Sequence, residues 1–155
     1  MTLDSIDIKI LEILQQDASL QTSDVAERVG LSTTPCWRRI QKLKAAGVIT
    51  RQVALLDAQK VNVGVTVFVS VRTATHTQAW FDTFRATVQA IPEVVEFYRM
   101  SGEVDYLLRV VVPDIAAYDK VYKRLIAGTQ LHDVSSSFAM EELKLTTALP
   151  LSYAN

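Results

Sequence analysis

Two rhythms of apolar residues divide the chain. In the first third the apolar positions recur every three or four residues, the period of a helix. Ile6, Ile10, Leu11, Ile13 and Leu14 predict a helix from about 5 to 16, capped by Asp4 or Ser5, with Asp7 at the positive end of its dipole. Asp17-Ala18-Ser19 interrupts the pattern. Thr22 then caps a short second helix, Ser23 to Val29, which turns Val25, Ala26 and Val29 inward; Gly30 stops it and Leu31 plugs the turn. The third helix has both ends marked, by Ser32 as N-cap and Gly47 as terminator, and Pro35 falls in the first turn, where a missing N–H costs little. Its apolar positions are Cys36, Ile40 and Leu43. Thr34, Trp37, Arg38 and Gln41 fall on the opposite face, with Arg39 and Lys42 on the flanks. After Gly47, Val48-Ile49 and Val53 to Leu56 read as two short strands around Thr50-Arg51-Gln52, a small hairpin or wing that carries Arg51.

Beyond an ordered polar connection, Asp57 to Asn62, the period becomes two and β-branched residues dominate. Val63 to Val71 reads as a strand. Thr77 to Ile91 reads as a helix with Trp80 or Phe81, Phe84, Val88 and Ile91 on its inner face, ended by Pro92. Val94 to Met100 and Asp105 to Val112 are strands joined by the loop Ser101 to Val104. Pro113-Asp114 opens a helix with Ile115, Tyr118, Tyr122, Leu125 and Ile126 on one face, and Val134 to Met140 is a last strand. The order βαββαβ is the ferredoxin-like arrangement, so the fold class is α+β, a helix-turn-helix head followed by a βαββαβ domain. Leu143 to Thr147 reads as an extra strand or an arm onto a partner.

Composition narrows this picture. Of 155 residues 49% are hydrophobic, too many for a disordered chain, and no apolar run approaches the roughly 20 residues of a membrane span. The start lacks the basic and apolar regions of a signal peptide, and one cysteine excludes an internal disulfide framework, which points to the cytoplasm. The net charge of −1 says little, but its distribution says more. From Arg28 to Leu56 the chain carries Arg28, Arg38, Arg39, Lys42, Lys44 and Arg51 and no Asp or Glu. Such a local basic patch can hold phosphates while the remaining surface stays acidic.

The third helix therefore presents a hydroxyl, an indole, guanidinium groups and an amide in front of an apolar back, which suits the major groove of double-stranded DNA. An ordinary amphipathic surface helix has the same pattern. Thr34, Trp37, Arg38 and Gln41 are the candidates for base edges, and Thr33, Arg39, Lys42 and Arg51 for phosphates. Cys36 sits on the apolar spacing and reads as a packing residue, although a helix N-terminus also favours a thiolate. His76 and His132 have no metal-ligand spacing, so neither metal nor cofactor is expected. No Gly-x-Ser-x-Gly, phosphate loop or dinucleotide fingerprint points to an enzyme.

Leu3 to Leu11, Leu31 to Gly47, Val53 to Asp57, Gly102-Glu103-Val104-Asp105-Tyr106-Leu107-Leu108 and Ser136-Ser137-Phe138 together resemble the Lrp/AsnC (leucine-responsive/asparagine, feast/famine) regulator family over essentially the whole chain. The resemblance implies a winged helix-turn-helix domain (1–50), a wing and linker (51–62) and a ferredoxin-like effector and oligomerisation domain of the RAM type (63–155). It implies a transcription regulator that dimerises through the C-terminal domain, assembles to tetramers or octamers, and binds small amino acids between these domains. Carried over by position, the effector site uses Met100, Ser101, Gly102, Glu103 and Asp105, with Val134, Ser135 and Ser136 as the other wall, from this chain or from a neighbouring subunit. Asp105 would pair with an ammonium group and Gly102 would expose backbone amides to a carboxylate. Each has a structural alternative: a turn glycine, a local amide cap, edge-strand serines. Thr33 to Arg39 and Tyr98 to Gly102 resemble the branch that controls cysteine breakdown, which makes L-cysteine the favoured effector. Two other readings remain at this level: an architectural DNA-binding protein without a ligand, and a ligand-binding or enzymatic ferredoxin-like domain.

Overall fold

A computed structural model describes residues 2–154. It divides into two compact units, Met1–Ala54 with Lys144–Asn155, and Leu55–Leu143. The first unit holds three helices, α1 (Ser5–Leu14), α2 (Thr22–Val29) and α3 (Thr33–Ala45). Asp4 caps α1 in a reciprocal box. Its Oδ1 accepts from the amides of Ile6 and Asp7 at 2.9 and 2.8 Å, while Asp7 Oδ2 accepts from the Asp4 amide at 3.3 Å. Helix α2 begins one residue earlier than its sequence suggests, with Gln21 rather than Thr22 at the N-cap. Ser32 holds the N-cap of α3 in extended backbone, but its hydroxyl makes no capping bond. The other end of α3 closes as expected. Gly47 lies at φ 72°, a conformation that costs any side-chain-bearing residue about 1–2 kcal/mol, and the amides of Val48 and Gly47 reach back to the carbonyls of Leu43 and Lys44, both at 3.0 Å. Ile10, Val25, Cys36 and Leu43 are fully buried and form the core between the three helices.

Two stretches read as possible strands do not form them. The stretch from Val48 to Leu56 forms no strands, so the wing is not a hairpin. Val53, Leu55 and Leu56 are all exposed, and a two-stranded ribbon with no apolar face to cover has little to hold it. The segment from Leu143 to Thr147 is likewise not a strand. It leads to a 3-10 turn at Leu151–Tyr153, where Leu151 packs against the helical core. Gln15, at the end of α1, exchanges two hydrogen bonds with the backbone of Leu149, at 3.0 and 2.9 Å. Residues 144–154 thus group with the helical unit in this structure.

The second unit is the βαββαβ arrangement. Its elements are β1 (Val65–Arg72), α4 (Gln78–Gln89), β2 (Val94–Arg99), β3 (Tyr106–Val112), α5 (Ile115–Ala127) and β4 (Asp133–Phe138). The strands pair antiparallel in the order β2-β3-β1-β4. Val67, Val69 and Val71 of β1 and Leu108, Val110 and Val112 of β3 point to one side and are buried under Phe84 and Val88 of α4 and Tyr118, Val121 and Leu125 of α5. Trp80 and Phe81 both pack partly against this core, whereas Ile115 and Ile126, expected on the inner face of α5, are exposed and give way to Val121. Alternation sends Phe68, Leu107, Arg109 and Val111 to the other face of the sheet. Among the described residues of this unit, neither α4 nor α5 covers that face.

Candidate nucleic-acid interface and effector site

Burial divides α3 along its length. Cys36, Ile40 and Leu43 are inside, while Thr33, Thr34, Trp37, Arg38, Gln41 and Lys42 are exposed. Trp37 keeps 52% of its surface in solvent, a large area for an indole and one that suits sugar, phosphate or a thymine methyl. Arg51 is also exposed. These exposed residues lie in a stretch, Arg28 to Leu56, that carries basic residues and no carboxylate, a charge balance that suits a polyanion.

Arg39 does not belong to that face. Its Nη1 donates to Asp4 Oδ2 at 2.6 Å and to Asp7 Oδ1 at 2.8 Å, tying α3 to the start of α1. The backbone amide of Asp7, then this guanidinium, hold the Asp4 carboxyl below its usual value, and the two carboxylates raise Arg39. Asp7 is only 4% exposed, so Arg39 neutralises a charge that is otherwise stranded. The phosphate role expected for Arg39 is therefore replaced by an internal one. Cys36 is fully buried, and desolvation raises its thiol, the direction opposite to that of a reactive cysteine.

In the second unit the loop from Met100 to Asp105 is closed by a 2.8 Å bond from the Met100 amide to the Asp105 carbonyl. Gly102 stands at φ 99°, with open space where a Cβ would be. The glycine is therefore required by its backbone angle and not by a neighbour. Met100, Ser101 and Glu103 are exposed. Asp105 has local work: its Oδ2 accepts from the Thr73 amide at 2.8 Å, and its own amide donates to Val71 at 3.0 Å. Its other carboxylate oxygen makes no hydrogen bond among the described residues. Val71 pairs with Tyr106 on one side and Val134 on the other, so Asp105 and Val134 share one end of the sheet. They are two strand spacings apart, roughly 10 Å.

Within one chain, the three residues expected for the second wall point to different faces of the sheet. Val134 and Ser136 pair with the buried Val71 and Val69 and face the helices, whereas Ser135 pairs with Ser70 and faces away. The Ser136 hydroxyl is already paired with the Tyr118 hydroxyl. Successive strand residues point to opposite faces, and spacing alone does not reveal which face each takes. The structure instead places Val134 in a cavity of about 730 Å³ that also takes in Thr75, Thr129, Gln130 and His132. These residues come from two loops with no shared motif, so sequence reasoning does not bring them together.

Residues 66–149 match the model of the Lrp/AsnC ligand-binding domain, and residues 3–50 match that of a winged helix-turn-helix DNA-binding domain. The chain belongs to the Lrp/AsnC family. It is 52% identical to the glutamate uptake regulatory protein of Zymomonas mobilis, over 96% of this chain and 91% of that one. It is 49% identical to the DNA-binding transcriptional activator DecR of Escherichia coli K12, over 96% and 99% respectively. The crystal structure of an AsnC-family transcriptional regulator from Agrobacterium tumefaciens is 65% identical and superposes with a TM-score of 0.94, covering 97% of this chain and 99% of that one. A Neisseria meningitidis transcriptional regulator in complex with L-Met is 38% identical, with a TM-score of 0.92 over 97% and 98%. The protein is a DNA-binding transcription regulator with an amino-acid ligand domain, and not an enzyme.

Proposed function

We propose that this regulator reads DNA with Thr34, Trp37, Arg38 and Gln41 on base edges and with Thr33, Lys42 and Arg51 on phosphates, under the control of a small amino acid held at the Met100–Asp105 loop. The observation that carries the DNA reading is the exposed cationic face of α3 opposite the buried Cys36, Ile40 and Leu43. A second copy of the chain completes the working unit. The uncovered face of the sheet carries the exposed Phe68 and Tyr98 beside Leu107 and Val111, with an Arg109–Glu96 pair among them, which is a surface suited to self-association. Two α3 helices then meet half-sites about one helical turn apart, and effector binding shifts the balance between assemblies. As a DNA-binding regulator it acts in the cytoplasm.

L-Cysteine is the first effector to test, supported by the resemblance of Thr33–Arg39 and Tyr98–Gly102 to the branch that controls cysteine breakdown. L-Glutamate and L-methionine follow, because they appear in the names of a relative and a related structure. In a thermal-shift panel, one amino acid should raise the Tm of the wild type and lose most of that effect in Asp105→Asn. The asparagine keeps an acceptor for the Thr73 amide but removes the charge that would face an ammonium group. If no amino acid raises the Tm, the protein is architectural. If one does so equally in the variant, the ligand lies elsewhere.

A further inference from the structure

The helical head is joined to the second unit twice. The first link, residues 50–64, runs from the helical core to the start of β1. At its head end Ile49 packs against that core, and its amide donates to the Leu43 carbonyl at 3.2 Å. Among the described residues, no backbone amide from Thr50 to Leu56 donates a hydrogen bond to the backbone, and Val53, Leu55 and Leu56 are exposed. Such a stretch does little to fix the orientation of what it carries. Only the far half of the link is folded, into a turn in which the Val63 amide donates to the Ala58 carbonyl at 2.8 Å.

The second link leaves the sheet at the same corner. The Ala139 amide, just past β4, donates to the Thr66 carbonyl of β1 at 2.9 Å. The chain is next anchored on the head. Gln15 grips Leu149 at both backbone groups: its Nε2 donates to the carbonyl at 3.0 Å, and its Oε1 accepts from the amide at 2.9 Å. Gln15 is the C-cap of α1, so the grip is on a helix end. Two residues on, Leu151 packs against the same core as Ile49 and opens the 3-10 turn that follows. A body on one loose tether pivots freely about it. A body held at two points turns only about the line between them.

We propose that this C-terminal strap orients the DNA-binding head, and so sets the spacing of half-sites that a pair of copies accepts. Gln15 and Leu151, both outside α3, are the residues that determine it. The inference rests on the reading that two α3 helices meet two half-sites. With the strap docked, the second head reaches its half-site at one separation. With the strap released, the head samples many separations, and its effective concentration is spread over them.

Half-site spacing gives the test. The wild-type protein first enriches a duplex from a random pool of about 40 base pairs, room for half-sites one or two turns apart. Fluorescence anisotropy at fixed salt then compares this duplex with one lengthened at its centre. An insertion of two base pairs moves one half-site by about 7 Å and turns it by about 70°. It should weaken binding of the wild type at least about ten-fold, and that of Gln15→Ala and Leu151→Ala by no more than about three-fold. A less stable head weakens both duplexes by the same factor, so their ratio reads orientation and not folding. Gln15→Ala removes only two exposed hydrogen bonds and decides the matter where Leu151→Ala lowers the melting temperature too far. If the variants show the wild-type ratio, the strap does not set the spacing and the proposal is overturned. If the insertion leaves the wild type unaffected, the reading of paired half-sites fails and the proposal falls with it.

Discussion

At the scale of single residues, the Arg39–Asp4–Asp7 cluster decides more than its surface position suggests. Arg39→Ala leaves the nearly buried Asp7 charge without its partner. Because the guanidinium is about a third exposed, the loss should be about 1–2 kcal/mol, below the cost of a fully buried pair. It should appear as a lower urea midpoint with DNA affinity reduced only through unfolding. The pH dependence has a definite sign. The Asp4 carboxyl is held below its ordinary 3.8 by the Asp7 amide and then by Arg39, so the stability it contributes is complete above pH 3.8. That contribution is lost as the pH falls through the lower folded value. The stability difference between wild type and Asp4→Asn should therefore be constant near neutrality and shrink below that point. Cys36→Val should fold with less than about 1.5 kcal/mol of change and bind DNA normally, because the thiol is a packed apolar group. Loss of DNA binding in that variant would restore a chemical role for the thiol.

At the scale of elements, α3 separates folding from reading. Its buried residues fix it in the head, and its exposed ones are free to be changed without loss of stability. Arg38→Ala should leave the Tm within about 1 °C and cost about 1–3 kcal/mol of DNA affinity, measured by fluorescence anisotropy at fixed salt. Lys42→Ala should weaken binding to all sequences alike and reduce the salt slope by about one. If either variant binds as the wild type does, the groove-facing assignment of α3 fails. Gly47→Ala tests the end of the same helix, where a positive φ in the alanine variant should cost about 1 kcal/mol.

At the scale of the whole molecule, the chain enters the first unit twice. Residues 144–154 return to α1 through Gln15 and through Leu151 at the helical core. Truncation after Leu143 should lower the melting temperature of the head. Gln15→Ala should reproduce part of the effect, by about 1 kcal/mol, because it removes two exposed hydrogen bonds. The uncovered sheet face makes a separate prediction. Phe68→Arg should convert a dimer in sedimentation analysis to monomer at micromolar concentration, with the fold of the unit retained, because Phe68 lies outside the buried core.

The helices of the head, the order βαββαβ, the buried and exposed sides of α3 and the turn at Gly47 were legible in the sequence, because each depends on residues within a turn or two of one another. Period, cap and glycine signals are local, and here they agree. What only the tertiary structure decided are pairings between residues far apart in the chain. Arg39 and Asp7 are 32 positions apart, Thr73 and Asp105 are also 32 apart, and Gln15 and Leu149 are 134 apart. Arg39 looked like a phosphate ligand because its partners lie beyond any local window. Asp105 read as an ammonium ligand or a local amide cap, and the amide that it caps, Thr73, lies far off in sequence just beyond β1. The register of β4 decides that Val134 and Ser136 face one side of the sheet and Ser135 the other. Local patterning places side chains on a face, and packing then decides which of them remain free to bind.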